Sequence, residues 1–143
     1  MTVRHILATK GIAVVTAAPG DTVESIARTL AARRIGAVVV LDGAKISGII
    51  SERDVVRALA DHGASALKLS VSAVMTEKVF TCGLDDSEAE LMGMMTVKRI
   101  RHLPVVDSGS LAGMISIGDV VKFRMEAMER EAEDMKAYIA SAG

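Results

Sequence analysis

The chain repeats itself. Arg34-Ile35-Gly36-Ala37-Val38-Val39-Val40-Leu41-Asp42 returns 65 residues later as Arg99-Ile100-Arg101-His102-Leu103-Pro104-Val105-Val106-Asp107. The offset holds without a gap from Val14 and Val79 through Arg57 and Lys122. Thirteen positions recur unchanged: Val14, Thr16, Asp21, Arg34, Ile35, Val40, Asp42, Gly48, Ile50, Ser51, Asp54, Val55 and Val56. Chance pairing of two aliphatic segments would match scattered Val and Ile. It would not also keep Asp42 with Asp107, Gly48 with Gly113, and Ser51…Asp54 with Ser116…Asp119 in one register. A duplication is therefore the first constraint on the fold.

Each copy reads as β-α-β-β-α. A short β-type run (Ile12–Thr16 or Lys78–Thr81) leads into a turn containing Pro19-Gly20-Asp21 or Asp85-Asp86. A helix follows, opened by Asp21/Thr22 or Asp86/Ser87 as capping residues with acidic side chains in the first turn. Ile26, Leu30 and Ile35 give the first helix an apolar face; Leu91, Met94 and Met95 do the same in the second copy. Ala37–Leu41 and Leu103–Val106 predict strands, each turned by Asp42-Gly43 or Asp107-Ser108-Gly109 into a second strand, Ile46–Ile50 or Leu111–Ile115. A closing helix starts at Ser51 or Ser116. His62–Ser72, with Gly63, Ser65 and Ser70, reads as linker. A unit of about 60 residues buries too little surface to stand comfortably alone, so two copies packed sheet against sheet are expected.

Composition narrows the function. Of 143 residues, half are apolar, 24% charged and only 2% aromatic, and the mean hydropathy is +0.37. That excludes a disordered chain. No uncharged apolar run nears the roughly 20 residues that cross a bilayer. Met1–Lys10 carries Arg4, His5 and Lys10 but no apolar stretch of signal-peptide length. The single cysteine, Cys82, permits no internal disulfide and fits a reducing compartment; a cytoplasmic location is expected. A net charge of −1 gives no bulk pull toward nucleic acid or membrane. It is a sum of unlike parts: residues 1–124 hold 15 Lys+Arg against 13 Asp+Glu, and residues 125–143 hold 2 against 5.

The paired stretches Gly48-Ile49-Ile50-Ser51-Glu52-Arg53-Asp54-Val55-Val56 and Gly113-Met114-Ile115-Ser116-Ile117-Gly118-Asp119-Val120-Val121 resemble the signature of CBS domains. Met75-Thr76 and Arg101-His102-Leu103-Pro104-Val105-Val106-Asp107 resemble it too. The likeness is to stand-alone CBS-pair proteins and covers about residues 3 to 124. It implies an α/β (α+β) fold: tandem repeats in a pseudo-twofold sandwich with two clefts between them, plus a C-terminal helix. The expected divisions are 1–66, 67–124 and 125–143. The resemblance further implies adenosine-containing ligands (AMP, ADP, ATP, NAD(H) or S-adenosylmethionine), pairing of modules into a disc-shaped homodimer, and regulation rather than catalysis.

Without the resemblance, Ser51-x-x-Asp54 and Ser116-x-x-Asp119 read as capping boxes. They also sit where a strand ends and a helix begins, with N–H groups and a positive dipole for phosphate and a carboxylate for a ribose diol. Taken with the resemblance, Asp54 and Asp119 become candidate ligand contacts, with Ser51 and Ser116 capping beside them. Phosphate needs counter-charge. Arg53 has Gly118 as its counterpart, and Arg101-His102 replaces Gly36-Ala37, so the two clefts are not equivalent. The resemblance makes Arg101 and His102 phosphate candidates; for His102 a partly buried structural role stands as the alternative. Lys98 and Arg99 read as a solvated helix end at the negative pole of the dipole. By the same resemblance Thr16 and Thr81 pass the adenine, although β-branched strand filler explains them as well. With aromatics scarce, Ile49 and Met114 are expected to grip the base.

Nothing supports catalysis or a metal. His5 and His62 have no partner pattern in the sequence, no ligand cluster has metal spacing, and no phosphate loop or nucleophile elbow is present. Cys82 reads as small buried filler. Past Asp119, Val121, Met125, Met128, Ala132, Met135 and Ile139 form an a/d seam flanked by charges. Packing against a partner chain is the expectation, folding back on the module the alternative. Two functions compete: a sensor of adenine nucleotides acting on an unidentified regulated protein in trans, or an interaction module that keeps the capping boxes and binds no nucleotide. Nucleic-acid binding through Lys98, Arg99 and Arg101 is disfavoured by the missing aromatic rings.

Overall fold

The computed structural model describes residues 1–142. In chain order the elements are α1 (Val3–Lys10), β1 (Thr16–Ala17), α2 (Val23–Arg33), β2 (Ala37–Asp42), β3 (Lys45–Ser51), α3 (Glu52–His62), a 3₁₀ segment (Gly63–Lys68), α4 (Val71–Val74), α5 (Glu88–Lys98), β4 (His102–Asp107), β5 (Ser110–Ser116) and α6 (Ile117–Ala142).

The duplication is reproduced down to single hydrogen bonds. Asp21 Oδ2 accepts from Ala18 N–H at 2.9 Å, and Asp86 Oδ2 accepts from Gly83 N–H at 2.8 Å. Thr22 and Ser87 cap α2 and α5 by accepting from Ser25 N–H and Glu90 N–H. Both helices stop on an arginine in the left-handed region, Arg34 at φ 53° and Arg99 at φ 54°, so that the next residue bonds back to Leu30 or Met95. That closure satisfies end carbonyls and turns the chain into β2 or β4. The hairpins β2–β3 and β4–β5 are antiparallel, with matching irregularities after Val40 and Val105.

One expectation needs correction. Ile12–Thr16 and Lys78–Thr81 are not strands. Only Thr16 and Ala17 pair in parallel with Val39 and Val40, and in the second copy Cys82 alone bridges to Val105. The chain turns away at Pro19-Gly20 and at Leu84-Asp85 before a longer ladder can form, and Ile12 stays 71% exposed. The connecting stretch His62–Ser72 is ordered rather than irregular: the 3₁₀ segment and the start of α4 occupy it, with Ala66 and Val71 fully buried.

The core has two centres, and the chain crosses between them. One gathers Val23, Ile26, Leu30, Val38, Val40, Ile50 and Val55 with Val71 of α4. The other gathers Leu91, Met95, Leu103, Val105, Ile115 and Val120 with Val3, Ile6 and Leu7 of α1. Thus α1 precedes the first repeat but packs into the second, while α4 precedes the second repeat and packs into the first. Their backbone contacts correspond: Val3 N–H bonds Asp86 O and Arg4 N–H bonds Leu84 O, as Val71 N–H bonds Asp21 O and Ser72 N–H bonds Pro19 O. Thr2–Lys10 therefore matches Ser70–Lys78, and Gly11-Ile12-Ala13 is an insertion in the first copy.

Gly48 and Gly113 lie under these crossing segments. A Cβ on Gly48 would stand 2.6 Å from Met75 Sδ and 2.9 Å from the Thr76 carbonyl; one on Gly113 would stand 2.9 Å from Leu7 Cδ2. Backbone cannot yield as a leucine tip can. Gly48→Ala is expected to cost about 2–3 kcal/mol and Gly113→Ala about 1 kcal/mol, read from urea unfolding midpoints. Equal costs would mean that the two segments give way alike.

Candidate functional site

The end of β3 and the start of α3 form the heart of the site. Ser51 ends the strand in extended geometry and caps the helix. Its Oγ accepts from Asp54 N–H at 3.3 Å, while Asp54 Oδ2 accepts from Ser51 N–H at 2.9 Å and from Ser51 Oγ at 3.1 Å. The capping box is therefore real. Asp54 is only 6% exposed. Its second oxygen, Oδ1, accepts from Thr76 Oγ1 at 3.1 Å and lies 3.9 Å from Arg57 Nη1. Thr76 is held there by two backbone bonds with Ile49, at 3.0 and 2.9 Å.

This corner opens into a cavity of about 690 Å³ between the repeats. Ile49, Ser51, Arg53, Asp54, Arg101 and His102, all singled out from the sequence, line it together. Lys98 and Arg99 line it as well rather than merely ending a solvated helix, because the left-handed turn at Arg99 swings the chain across the cleft. Counting Arg57 and Lys78, six fixed cations face it against the carboxylates of Glu52 and Asp54. Fields in such a cleft focus on anions.

The sequence reading missed Phe80. Its ring is part of the cavity wall, with Lys78 Nζ 5.5 Å and Lys98 Nζ 5.2 Å from the centroid. The ring face holds both ammonium groups beside the cavity. Thr76 and Lys78 belong to the lead-in of the second repeat, whose correspondence with Thr2–Lys10 the insertion hides; Phe80 keeps the common register, opposite Val15, where nothing in the pattern marks it.

Thr16, Thr81, Met114, Ser116 and Asp119 do not line this cavity. Thr16 and Thr81 are exposed. Ser116 and Asp119 form the second capping box: Asp119 Oδ2 accepts from Ser116 N–H at 2.8 Å, and Ser116 Oγ accepts from Asp119 N–H at 3.1 Å. Here, however, one carboxylate oxygen meets an ammonium. Lys10 Nζ, at the end of α1, donates to Asp119 Oδ2 at 2.5 Å and to the Met114 carbonyl at 2.6 Å. Burial would raise the Asp119 carboxyl, but the Lys10 ammonium and the Ser116 donors outweigh it and hold the carboxyl below its ordinary range.

His102 stands where the repeats meet. Its ring atoms lie 3.0–3.1 Å from where a Cβ on Gly36 would be, so glycine leaves it room. Burial lowers its pKa, with Lys10 and Arg101 adding to the effect and Glu52 and Asp119 opposing it. The folded chain therefore resists a proton that the unfolded chain accepts below about pH 6.5. Stability attributable to this group is complete above that pH and is lost as pH falls toward the folded value. His102→Gln should lose less stability between pH 7 and 5.5 than the unaltered protein, in paired urea titrations; equal losses would assign the acid sensitivity elsewhere.

Cys82 is buried, with its Sγ 3.8 Å from the Pro104 carbonyl, and burial, aided by Asp86, pushes its thiol up to about 12. It is filler, as its alignment with Ala17 suggests. Among the described residues no helix is long and apolar enough to cross a membrane.

Comparison with known proteins agrees with this geometry. The CBS domain model matches twice, over residues 3–61 and 71–126. The CBS domain-containing protein CBSX3, mitochondrial, of Arabidopsis thaliana is 35% identical over 124 residues; the match takes in 83% of this chain and 60% of that protein. The crystal structure of the CBS-domain containing protein ATU1752 from Agrobacterium tumefaciens superposes with TM-score 0.85 at 47% identity, covering 87% of this chain and 99% of that one. The CBS domain protein PAE2072 from Pyrobaculum aerophilum, complexed with AMP, has TM-score 0.74 at 25% identity, covering 83% and 89%. A duplicated β-α-β-β-α unit, two strand-to-helix capping boxes and a cleft between the repeats thus meet in one known family, and the chain belongs to it as a pair of CBS domains.

Proposed function

We propose that the cavity beside Asp54 binds an adenosine-containing nucleotide (AMP, ADP, ATP or NAD(H)), and that the chain is a cytoplasmic regulatory module. In this reading it works as a homodimer through its CBS faces and C-terminal helix, and relays ligand state to a regulated partner protein in trans. The observation that carries the reading is the cavity itself. Its volume of about 690 Å³ falls in the range of small-molecule sites. A carboxylate at a helix start suits a ribose diol, six cations around the positive end of α3 suit phosphate, and Ile49, Val56 and Phe80 offer apolar contact for a base. The AMP bound by the Pyrobaculum protein supports the same ligand class. The positive sulfonium of S-adenosylmethionine suits a cation-rich wall poorly.

The second cleft is different because Lys10 already occupies Asp119 and the Met114 carbonyl. One nucleotide per chain is therefore expected, in the first cleft. Calorimetric titration with AMP, ATP, NADH and S-adenosylmethionine tests this. A single site for at least one anionic nucleotide, and a second site gained by Lys10→Met, is the expected result. No saturable binding at millimolar ligand would remove the sensor reading and leave an interaction module.

A further inference from the structure

The helix α6 leaves the module with one face bare. Val121, Met125, Met128, Met135 and Ile139 are 42%, 57%, 61%, 59% and 63% exposed. With Ala132 they keep the 4-3-4-3-4 spacing of a two-helix seam, and the helix does not fold back to cover them. Near its start this face borders a groove of about 530 Å³ lined by Ile117, Val121 and Met125. An apolar stripe of this regularity seats another helix.

The charges beside the seam identify the occupant and its direction. Met125, Ala132 and Ile139 take the a positions; Val121, Met128 and Met135 take the d positions. Lys122, Glu129 and Lys136 then fall at e, and Arg124, Glu131 and Tyr138 at g. In a parallel, in-register pair, each g position meets the following e position of the other helix. Arg124 then meets Glu129 and Glu131 meets Lys136, each twice by symmetry. In a fully overlapped antiparallel pair, e meets e and g meets g. Lys122 then meets Lys136, Glu129 meets Glu129, and Glu131 meets Glu131. The pattern is attractive one way and repulsive the other.

We infer that α6 pairs in parallel and in register with α6 of a second copy of this chain, a reading that rests on the homodimer proposed above. Arg124 already donates to Glu88 at 2.8 Å, and its guanidinium keeps further N–H groups for the second copy's Glu129. The parallel seam puts both modules at the same end of a two-helix stalk.

Light scattering and oxidative cross-linking of the full chain test this, with Cys82 too buried to take part. A dimer is expected, and Met125→Cys should oxidise to a disulfide joining the same site in two chains. Glu131→Lys should weaken the dimer about tenfold, and adding Lys136→Glu should restore it. An antiparallel pair would instead cross-link only when Met125→Cys chains are mixed with Met135→Cys chains, and would not respond to Glu131→Lys; that result overturns the orientation and leaves the dimer standing. A dimer that keeps its mass with Met128→Lys and Met135→Lys, both on exposed positions, overturns the seam while leaving pairing through the module faces. A monomer throughout overturns both.

Discussion

A chain lacking residues 1–11 is expected to lose the native packing of its second repeat, although nothing of that repeat's own sequence has been removed. Val3, Ile6 and Leu7 are at most 4% exposed, and all three lie in the core centred on Leu91, Leu103 and Ile115. Full burial of side chains of this size stabilises by about 1.5–3 kcal/mol each, so the loss of all three amounts to roughly 4.5–9 kcal/mol. That is comparable to the whole stability of many small domains. Backbone bonds go with them: Val3 to Asp86, Arg4 to Leu84, and Glu88 to Met1, which together brace the loop carrying Cys82. The first repeat draws its crossing segment from α4 and should keep its protection longer. Amide hydrogen exchange checks this directly. Fast exchange in β4 and β5 with slower exchange in β2 and β3 is the expected outcome. A double variant, Ile6→Ala with Leu7→Ala, should show the same ordering in milder form. Unchanged protection in β5 would mean that α1 is an appendage rather than part of the core.

This dependence also explains what could be read from the sequence and what could not. From Val14 onward the repeat had one register, so the hairpins, the capping residues and both capping boxes were legible as pattern. Asp54 and Ser51 were found because their spacing is a helix-start signal in its own right. The crossing segments were not legible. Thr2–Lys10 and Ser70–Lys78 share Val3/Val71 and Lys10/Lys78 but little else, and three inserted residues shift them out of the common offset. Lys78 was hidden for the same reason; Phe80 keeps the common register, opposite Val15, but nothing local marks a residue that matters only after the chain has crossed to the other repeat. The role of Lys10 could not have been inferred at all. It depends on α1 continuing to Lys10, where α4 ends at Val74 so that Thr76 can pair with Ile49. A one-turn difference in helix length decides which carboxylate meets a hydroxyl and which meets an ammonium.

The two aspartates should accordingly differ when replaced. Asp54→Ala removes the acceptor for Ser51 N–H, Ser51 Oγ and Thr76 Oγ1 at a site only 6% exposed. Losing the cap and leaving donors without partners is expected to cost about 2–4 kcal/mol. Asp119→Ala removes acceptors from Ser116 N–H and Lys10, but the Lys10 side chain is 33% exposed and can turn to water. About 1–2 kcal/mol is expected there. Asp54→Asn separates the structural duty from the ligand duty, since its amide oxygen still accepts from Ser51 N–H while its charge is gone. It should retain most of the stability yet lose nucleotide affinity at least tenfold, an effect of about 1.4 kcal/mol. Asp119→Asn should leave first-cleft affinity within about twofold, because that carboxylate already serves Lys10. Thermal melts and calorimetric titrations on the four variants give both readings from the same samples. If Asp54→Asn binds nucleotide as tightly as the unaltered chain, the carboxylate only caps α3, and the base-lined and cation-lined walls of the cavity must hold the ligand without it.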